Sequence, residues 1–342
     1  MKFLRFAVAM MVVVLGLFIA GCGGSSSNSS GSSSASSSGN ATEAANVTEG
    51  PDSGTKLKFA VVTHSDESEW WIAFKKGMYK AADQMGVDIE WSPAGGDPQK
   101  QAQLIEAAVA SKVDGIAVTA PNPDAIKGPL KVAEEAGIPV VVVNSGSEQF
   151  KELGGIAGVG QGETIAGEEA GERFNSSGAK DVLCIIHEQG NIALNQRCEG
   201  VKNTFTGEVT NLQVKGLTDA ATTETEIESK LEADHSVDQI ITLNPEVAEM
   251  AKTAIKAAGS SAKLATFDLS PEVLEDVESG EIEFAIDQQS YLQGYLPIVF
   301  LDLYVENANI VGGGLPVLTG PGFIDKSNAA RVLELSEKYH TR

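Results

Sequence analysis

Hydrophobic and polar positions follow two periods along most of the chain, one typical of strands and one typical of helices. Residues 57–62 and 138–143 are short apolar runs of strand length. Between such runs, apolar residues recur at helical spacing, as Trp71, Phe74 and Met78 do. The run 138–143 has no polar residue, which is typical of a parallel strand buried on both faces. This alternation predicts an α/β fold with doubly wound parallel sheets.

The same strand and helix pattern occurs in both halves of the chain. The predicted strands are residues 57–62, 87–91, 115–118 and 138–143, then 182–186, 239–243, 263–267 and 282–286. An acidic helix is predicted over residues 225–234. Since ligands of such sheets bind beyond the carboxyl ends of the strands, candidate functional residues are expected there.

Two adjacent tryptophans follow the first predicted strand. Trp71 belongs to the apolar helical series and is expected in the core, whereas Trp70 lies off that series and is expected to face the cleft. Aromatic rings can pack against the C–H faces of sugar rings, while two core tryptophans are the structural alternative.

Polar side chains follow nearly every predicted strand. They are His64, Asn122, Asn144, Asn191, Asn195, Asn244, Asp268 and Gln288. Each one alone is commonly a turn or cap residue, and Asp124 is the expected cap of the helix after Asn122. Together, amides and carboxylates that form paired hydrogen bonds suit a neutral polyhydroxyl ligand.

The N-terminus has the pattern of an export signal. Lys2 and Arg5 precede an uncharged apolar stretch over residues 6–20, and Cys22 follows small residues in a pattern that resembles a bacterial lipobox. That resemblance predicts a lipoprotein signal peptide over residues 1–21 and lipidation of Cys22; an uncleaved signal anchor is the alternative. Eleven of the 18 residues in 23–40 are Ser, so residues 22–55 are expected to form a flexible tether.

Charge and composition narrow the functional classes. The chain has 25 Lys+Arg and 47 Asp+Glu, a net charge of −22, which excludes a simple nucleic-acid binder. The four histidines lack metal-ligand spacing, so neither a metal nor a cofactor is expected. Cys184 and Cys198 lie on a predicted strand and the helix after it, and form either a disulfide or two buried thiols.

From Lys56 onward the chain resembles the ribose-type (type I) periplasmic sugar-binding proteins of bacterial ABC importers. The resemblance rests on the order of several stretches, namely residues 58–62 with 70–77, 113–116, 136–140, 160–161 with 166–167, 197–200, 266–268 and 287–294. It implies two Rossmann-like lobes joined by three chain crossings, near Val159, Gln288 and Thr319. The implied lobes are residues 56–158 with 289–318 and residues 159–288 with 319–342.

The resemblance also implies roles for single residues. Trp70 and Trp71 occupy the place of an aromatic pair that sandwiches the sugar, and Asn122 that of a polar turn that contacts hydroxyls. The family's sugar-binding arginine falls on Asn195, which implies an uncharged contact there. The direct matches to ligand positions are Asn244, Asp268 and Gln288.

The expected function is capture of a small neutral sugar or polyol by hinge closure and delivery to the permease subunits of an ABC importer. The protein is expected to be a monomer outside the cytoplasm, held at the membrane through its N-terminal lipid alone. A sensory protein for a sugar or an autoinducer-2-like signal is the main alternative. An enzyme is disfavoured because no nucleophile–base pair is visible, and a repressor because an export signal replaces a DNA-binding helix pair.

Overall fold

The computed structural model describes residues 56–339. The predictions for the signal peptide, for Cys22 and for the tether therefore lie outside the described residues. No helix within residues 56–339 has both the length and the apolar character needed to cross a membrane.

Two six-stranded sheets form the framework. The first contains β1 (Lys58–Thr63), β2 (Asp88–Pro93), β3 (Gly115–Thr119), β4 (Val140–Val143), β5 (Ala157–Gln161) and β11 (Val317–Gly320). The second contains β6 (Asp181–Ile186), β7 (Glu208–Gln213), β8 (Gln239–Thr242), β9 (Lys263–Phe267), β10 (Ile282–Asp287) and β12 (Gly322–Ile324). The strand orders are β11-β5-β4-β3-β1-β2 and β12-β10-β9-β8-β6-β7. All pairs are parallel except β10 with β12, which confirms the predicted doubly wound fold.

The helices connect and flank the strands. They are α1 (Trp70–Met85), α2 (Pro98–Ala110), α3 (Pro123–Glu135), α4 (Glu163–Ser177), α5 (Ile192–Thr204), α6 (Ala220–Ala233), α7 (Pro245–Ala257), α8 (Pro271–Ser279), α9 (Ser290–Asn307) and α10 (Ala329–Tyr339). Four of them begin with a proline directly after a capping side chain, because proline lacks the N–H that a first turn leaves unpaired. The capping residues of these four helices are Asp97, Asn122, Asn244 and Ser270. The cap of α3 is therefore Asn122 and not Asp124 as predicted.

Close packing of α1 against α9 fixes the start of α1, where the two tryptophans lie. A Cβ at Gly294 would collide with the carbonyl of Phe74, and one at Gly77 would collide with the carbonyl of Tyr291. Glycine at both positions therefore lets the two backbones approach closely. The buried face of α1 packs on the first sheet together with α9.

The chain crosses between the sheets three times. Strand β5 pairs with β4 through Val159 and with β11 through Gln161, so the first crossing follows at Gly162, close to Val159. The second crossing follows β10 at Gln288, and the third lies between Gly320 and Gly322, next to Thr319. We therefore propose one lobe of residues 56–161 with 290–320 and a second of residues 162–288 with 321–339.

Some elements differ from the sequence-based prediction. Helix α6 begins at Ala220, five residues before the predicted start, because Asp219 accepts a hydrogen bond from the Thr222 N–H (3.1 Å) and caps it there. The prediction omitted β5, β7, β11 and β12, and also α8, α9 and α10. Strand β7 is an edge strand whose side chains are exposed or half-buried, so it lacks the apolar run that marks a central strand.

Cys184 on β6 and Cys198 on α5 are joined by a disulfide, with their Cα atoms 5.9 Å apart. Both residues are buried in the core of the second lobe. The bond connects the strand and the helix that flank the loop over residues 187–191.

We predict that the double variant Cys184→Ala/Cys198→Ala loses about 3 kcal/mol of unfolding free energy, since the bond closes a loop of 14 residues. Urea unfolding without reductant measures the loss. Reductant should lower the midpoint of the wild type and leave that of the double variant unchanged. A wild-type midpoint that does not respond to reductant would contradict the disulfide.

Candidate functional site

The carboxyl ends of both sheets face each other across a cleft that encloses a small cavity of about 50 Å³, here called the inner chamber. The first lobe lines it with His64, Ser68, Trp70, Trp71, Asn144 and Ser145. The second lobe lines it with His187, Glu188, Asn191, Leu194, Arg197, Leu243, Asn244 and Asp268, and the second crossing contributes Gln288. The chamber lies where the fold predicts a ligand site.

The lobes touch directly around this cavity. The Ile192 N–H donates to the Pro121 carbonyl (3.0 Å), and the Glu69 N–H donates to Glu246 Oε1 (2.9 Å). These contacts join the first lobe to the second, so the structure represents a closed arrangement of the lobes.

Two tryptophans form the aromatic wall of the inner chamber. Their rings meet edge to face with centroids 4.7 Å apart, and Trp70 also stacks on Phe74 at 5.5 Å. Both rings are buried in the core of the first lobe and both line the chamber. The sequence predicts Trp71 in the core and Trp70 in the cleft, whereas in the structure each of the two rings belongs to the core and also lines the chamber. Within residues 56–339, the buried Trp70 Nε1 has no hydrogen-bond partner.

A buried hydrogen-bond network crosses the hinge at Gln288. Asn144 Nδ2 donates to Gln288 Oε1 (3.1 Å) and to Gln293 Oε1 (3.0 Å). Gln288 Nε2 donates to Asp268 Oδ1 (2.6 Å), and Thr319 Oγ1 donates to the Gln288 carbonyl (2.8 Å). The network thus extends from Asn144 and Thr319 of the first lobe, through Gln288 at the second crossing, to a carboxyl group of the second lobe.

Asp268 combines strained backbone with a perturbed carboxyl group. Its φ of 69° lies in the left-handed region, which Asp tolerates better than most residues. Burial raises the pKa of its carboxyl to about 7, although Arg197 and the Gln288 hydrogen bond oppose the shift. Near neutral pH the side chain can therefore either accept or donate a hydrogen bond.

Arg197 is held by an ion pair beneath the chamber. Its Nε lies 2.7 Å from Glu163 Oε2 and its NH2 group 3.2 Å from Glu163 Oε1. Burial alone would lower the arginine pKa, but Glu163 and Asp268 raise it overall, so the side chain stays charged. Among the described residues that line the inner chamber, Arg197 is the one Lys or Arg, and Glu163 compensates its charge.

Two histidines flank Glu188 at the lobe boundary. His64 Nε2 lies 3.6 Å from Glu188 Oε2 across the cleft, and His64 Nδ1 lies 2.8 Å from Thr119 Oγ1. Burial lowers the pKa of His64, and lowers that of His187 to about 4, so both rings are neutral near pH 7. Burial would raise the pKa of Glu188, but the two histidines and the Asn191 hydrogen bond lower it overall.

Two asparagines of the predicted set line the inner chamber while they cap helices. Asn191 Oδ1 accepts from the Ala193 N–H (3.0 Å), and its Nδ2 donates to Glu188 Oε2 (2.7 Å). Asn244 Oδ1 accepts from the Val247 N–H (3.1 Å). Capping fixes the orientation of both amides, which positions the remaining amide atoms toward the chamber.

Two other predicted residues do not line the inner chamber. Asn122 is exposed, caps α3 and lines a neighbouring cavity. Asn195 is on the exposed side of α5, and its Nδ2 donates to the Asn191 carbonyl (3.1 Å). The structure instead directs Arg197 into the cavity, because residues two apart on a helix point to different faces. Asn195 therefore does not line the inner chamber, and a ligand contact there stays a prediction.

The sequence-based set omitted several lining residues, chiefly Ser68, Ser145, His187, Glu188 and Arg197. His187 and Glu188 follow β6 directly, at the kind of strand end from which the other residues were selected; His187 was considered there but interpreted as a residue outside the ligand set.

We predict that His187 weakens the folded protein as the pH falls. The pKa of this imidazole is 6.5 in the unfolded chain and about 4 in the folded protein. Between these two pH values the unfolded chain binds a proton that the folded protein does not bind, so the folded protein loses stability as the pH falls through this interval. Between pH 7.5 and 4.5, the wild type should lose up to about 3 kcal/mol more than His187→Gln in urea unfolding. His235→Gln, a substitution of an exposed histidine, is the control. Equal losses in the wild type and His187→Gln would contradict the prediction.

Comparison with known proteins assigns the fold to a family. A family model described as a periplasmic binding protein domain matches residues 59–309. The xylose/arabinose-binding protein of Sulfolobus acidocaldarius is 25% identical over 300 residues, covering 82% of this chain and 74% of that protein. The fructose import binding protein of Bifidobacterium longum is 28% identical over 261 residues, covering 72% of this chain and 79% of that protein.

A solved structure is more similar in sequence than these relatives. It is that of a carbohydrate transporter from Acidothermus cellulolyticus 11B in complex with myo-inositol. It is 44% identical, has a TM-score of 0.81, and the match covers 84% of this chain and all of that one. The chain therefore belongs to the periplasmic binding protein family of type I sugar-binding proteins of ABC importers, whose members bind solutes and are not enzymes.

Proposed function

We propose that this protein captures a neutral sugar or polyol between its two lobes and presents it to the permease of an ABC importer. The observation that carries the proposal is the inner chamber, where buried amide, carboxyl and imidazole groups of both lobes surround one space beside two tryptophans. A ligand with hydroxyl groups around a compact ring can satisfy these donors and acceptors at once.

The charges of the chamber favour a neutral ring over a sugar acid. Glu188 is ionised, Asp268 ionises near neutral pH, and the charge of Arg197 is compensated by Glu163. An anionic ligand would meet carboxylates without a free cation among the described residues of the chamber. The myo-inositol in the 44% identical carbohydrate transporter makes cyclitols the first compounds to test.

We assign the proposed contacts according to side-chain chemistry. Trp70 and Trp71 pack against the C–H face of the ring. The polar residues assigned to hydroxyl groups are Asn144, Asn191, Asn244, Asp268 and Gln288, with His64 at the lobe boundary. Asn122 and Asn195 are outside this inner set.

Hinge closure follows from a ligand that contacts both lobes, since such a ligand stabilises the closed state more than the open one. Gln288 lies on a crossing segment, lines the chamber and contacts Asp268. The ligand therefore acts directly on a hinge residue, and closure and binding are expected to be coupled.

The location completes the proposal. Cys22 carries the lipid anchor, and residues 22–55 form the tether that holds a monomeric binding body outside the cytoplasm. The mature chain from Cys22 lacks Lys2 and Arg5, so it is more acidic than the whole chain. Electrostatic attraction to anionic membrane lipids would then contribute nothing to membrane binding. The covalent lipid on Cys22 alone holds the protein at the membrane.

We predict that myo-inositol or another neutral ring compound raises the thermal midpoint of the purified protein by several degrees at 100 times its Kd. The screen compares myo-inositol, xylose, arabinose, fructose and ribose with glucuronic acid as the anionic control. Calorimetric titration then gives the Kd of each hit. A screen in which only the acid binds, or in which none of the neutral rings binds, would contradict the proposed ligand class.

We predict that Asp268→Asn weakens binding of the best neutral ligand at least about 10-fold, since one strong acceptor is lost in a buried site. Asparagine tolerates the positive φ, so the unfolding midpoint should stay close to that of the wild type. Asp83→Asn, a substitution of an exposed aspartate on α1, is the matched control. Wild-type affinity in Asp268→Asn would remove Asp268 from the site.

A further inference from the structure

A second cavity of about 350 Å³ adjoins the inner chamber and shares part of its wall, and we call it the outer chamber. The two cavities share His64, Trp71, His187, Glu188 and Asn244 as walls. The outer chamber is therefore a continuation of the binding site and not a separate surface depression.

Both lobes contribute polar groups to the outer chamber alone. The first lobe supplies Gln101 and Asn122, and the second supplies Gln189, Lys215 and Thr218. Amide, hydroxyl and ammonium groups of this kind suit hydroxyl ligands, as those of the inner chamber do. Asn122, which the sequence predicts to contact ligand hydroxyls, is thus available to a ligand in the outer chamber and not in the inner one.

The outer chamber persists while the lobes are in contact. Pro121, whose carbonyl accepts from the Ile192 N–H across the cleft (3.0 Å), is itself part of its wall. Closure thus leaves a space in the range of small-molecule sites, which begins at about 300 Å³, beside an inner chamber far below that range. A ring in the inner chamber therefore requires a more open arrangement of the lobes than this one, because about 50 Å³ is too small for a sugar ring.

One buried polar atom lies on the shared wall without a partner in the described part of the chain. His187 Nδ1 is buried, and the ring is neutral near pH 7, so this nitrogen can donate or accept depending on the tautomer. A buried polar group without a partner costs free energy, which a ligand passing between the chambers would recover.

We infer that the ligand is a glycosylated sugar or polyol of two linked rings, with one ring in the inner chamber and the second in the outer chamber. The linkage passes His187 and Trp71, and Asn122, Gln189 and Thr218 contact the second ring. This inference rests on the proposed function, because it assigns the substrate class of the same site.

Matched pairs of compounds test the inference by calorimetric titration of the purified protein. The pairs are xylose with xylobiose, glucose with cellobiose, fructose with sucrose, and myo-inositol with galactosyl-myo-inositol. In at least one pair, the two-ring compound should bind at least 10-fold tighter than its parent ring. If each two-ring compound binds more weakly than its parent, the inference is overturned while the proposed function stands. If no compound binds, both fail.

A variant that fills the outer chamber separates the two spaces. Gln189 is exposed and lines the outer chamber but not the inner one, so Gln189→Trp adds a large ring to the wall of the outer chamber. Gln189→Trp should lower the affinity for the two-ring compound at least 10-fold and change the affinity for the parent ring less than two-fold. Thr225→Trp, an exposed site on α6 outside both chambers, is the matched control. Equal effects of Gln189→Trp on both compounds, or no effect on the two-ring compound, would overturn the inference.

Discussion

The hydrogen bonds of Gln288 are the constraint on which the arrangement of the lobes and the site both depend. Its side chain accepts from Asn144 of the first lobe (3.1 Å) and donates to Asp268 of the second (2.6 Å). A buried amide without hydrogen-bond partners is costly. The Gln288 amide has its partners only when the two lobes are close together and Asp268 is oriented toward it. In the proposed mechanism, binding at Asp268 is therefore coupled to bending at the crossings.

Burial also explains how a protein of net charge −22 can have a cleft suited to neutral ligands. The Arg197–Glu163 pair brings no net charge, and the histidines are neutral near pH 7 because burial lowers their pKa values. The carboxyl of Asp268 stays protonated in part for the same reason. Desolvation, and not the overall charge of the chain, thus sets the electrostatics of the site.

The fold was predictable wherever apolar periodicity is strong. Central strands such as β4 (Val140–Val143) are continuous apolar runs, and α1 has a clear buried stripe. Edge strand β7 and the last elements of the chain escaped prediction, since a half-exposed strand has no distinct pattern. The crossings depend on where strands end, and strand ends depend on pairing, as in β5, which continues in its sheet through Gln161.

By itself, the sequence determined the two α/β lobes, the class of ligand and most strand-end residues, because periodicity and strand ends are local properties. Only the tertiary structure decided which side chains meet. Asn195 and Arg197 lie two residues apart on α5 and so point to different faces, and the packing of α4 against α5 directs Arg197 inward to Glu163. Likewise, the division of the cleft into two chambers depends on how closed lobes meet, and no pattern within one segment records that contact.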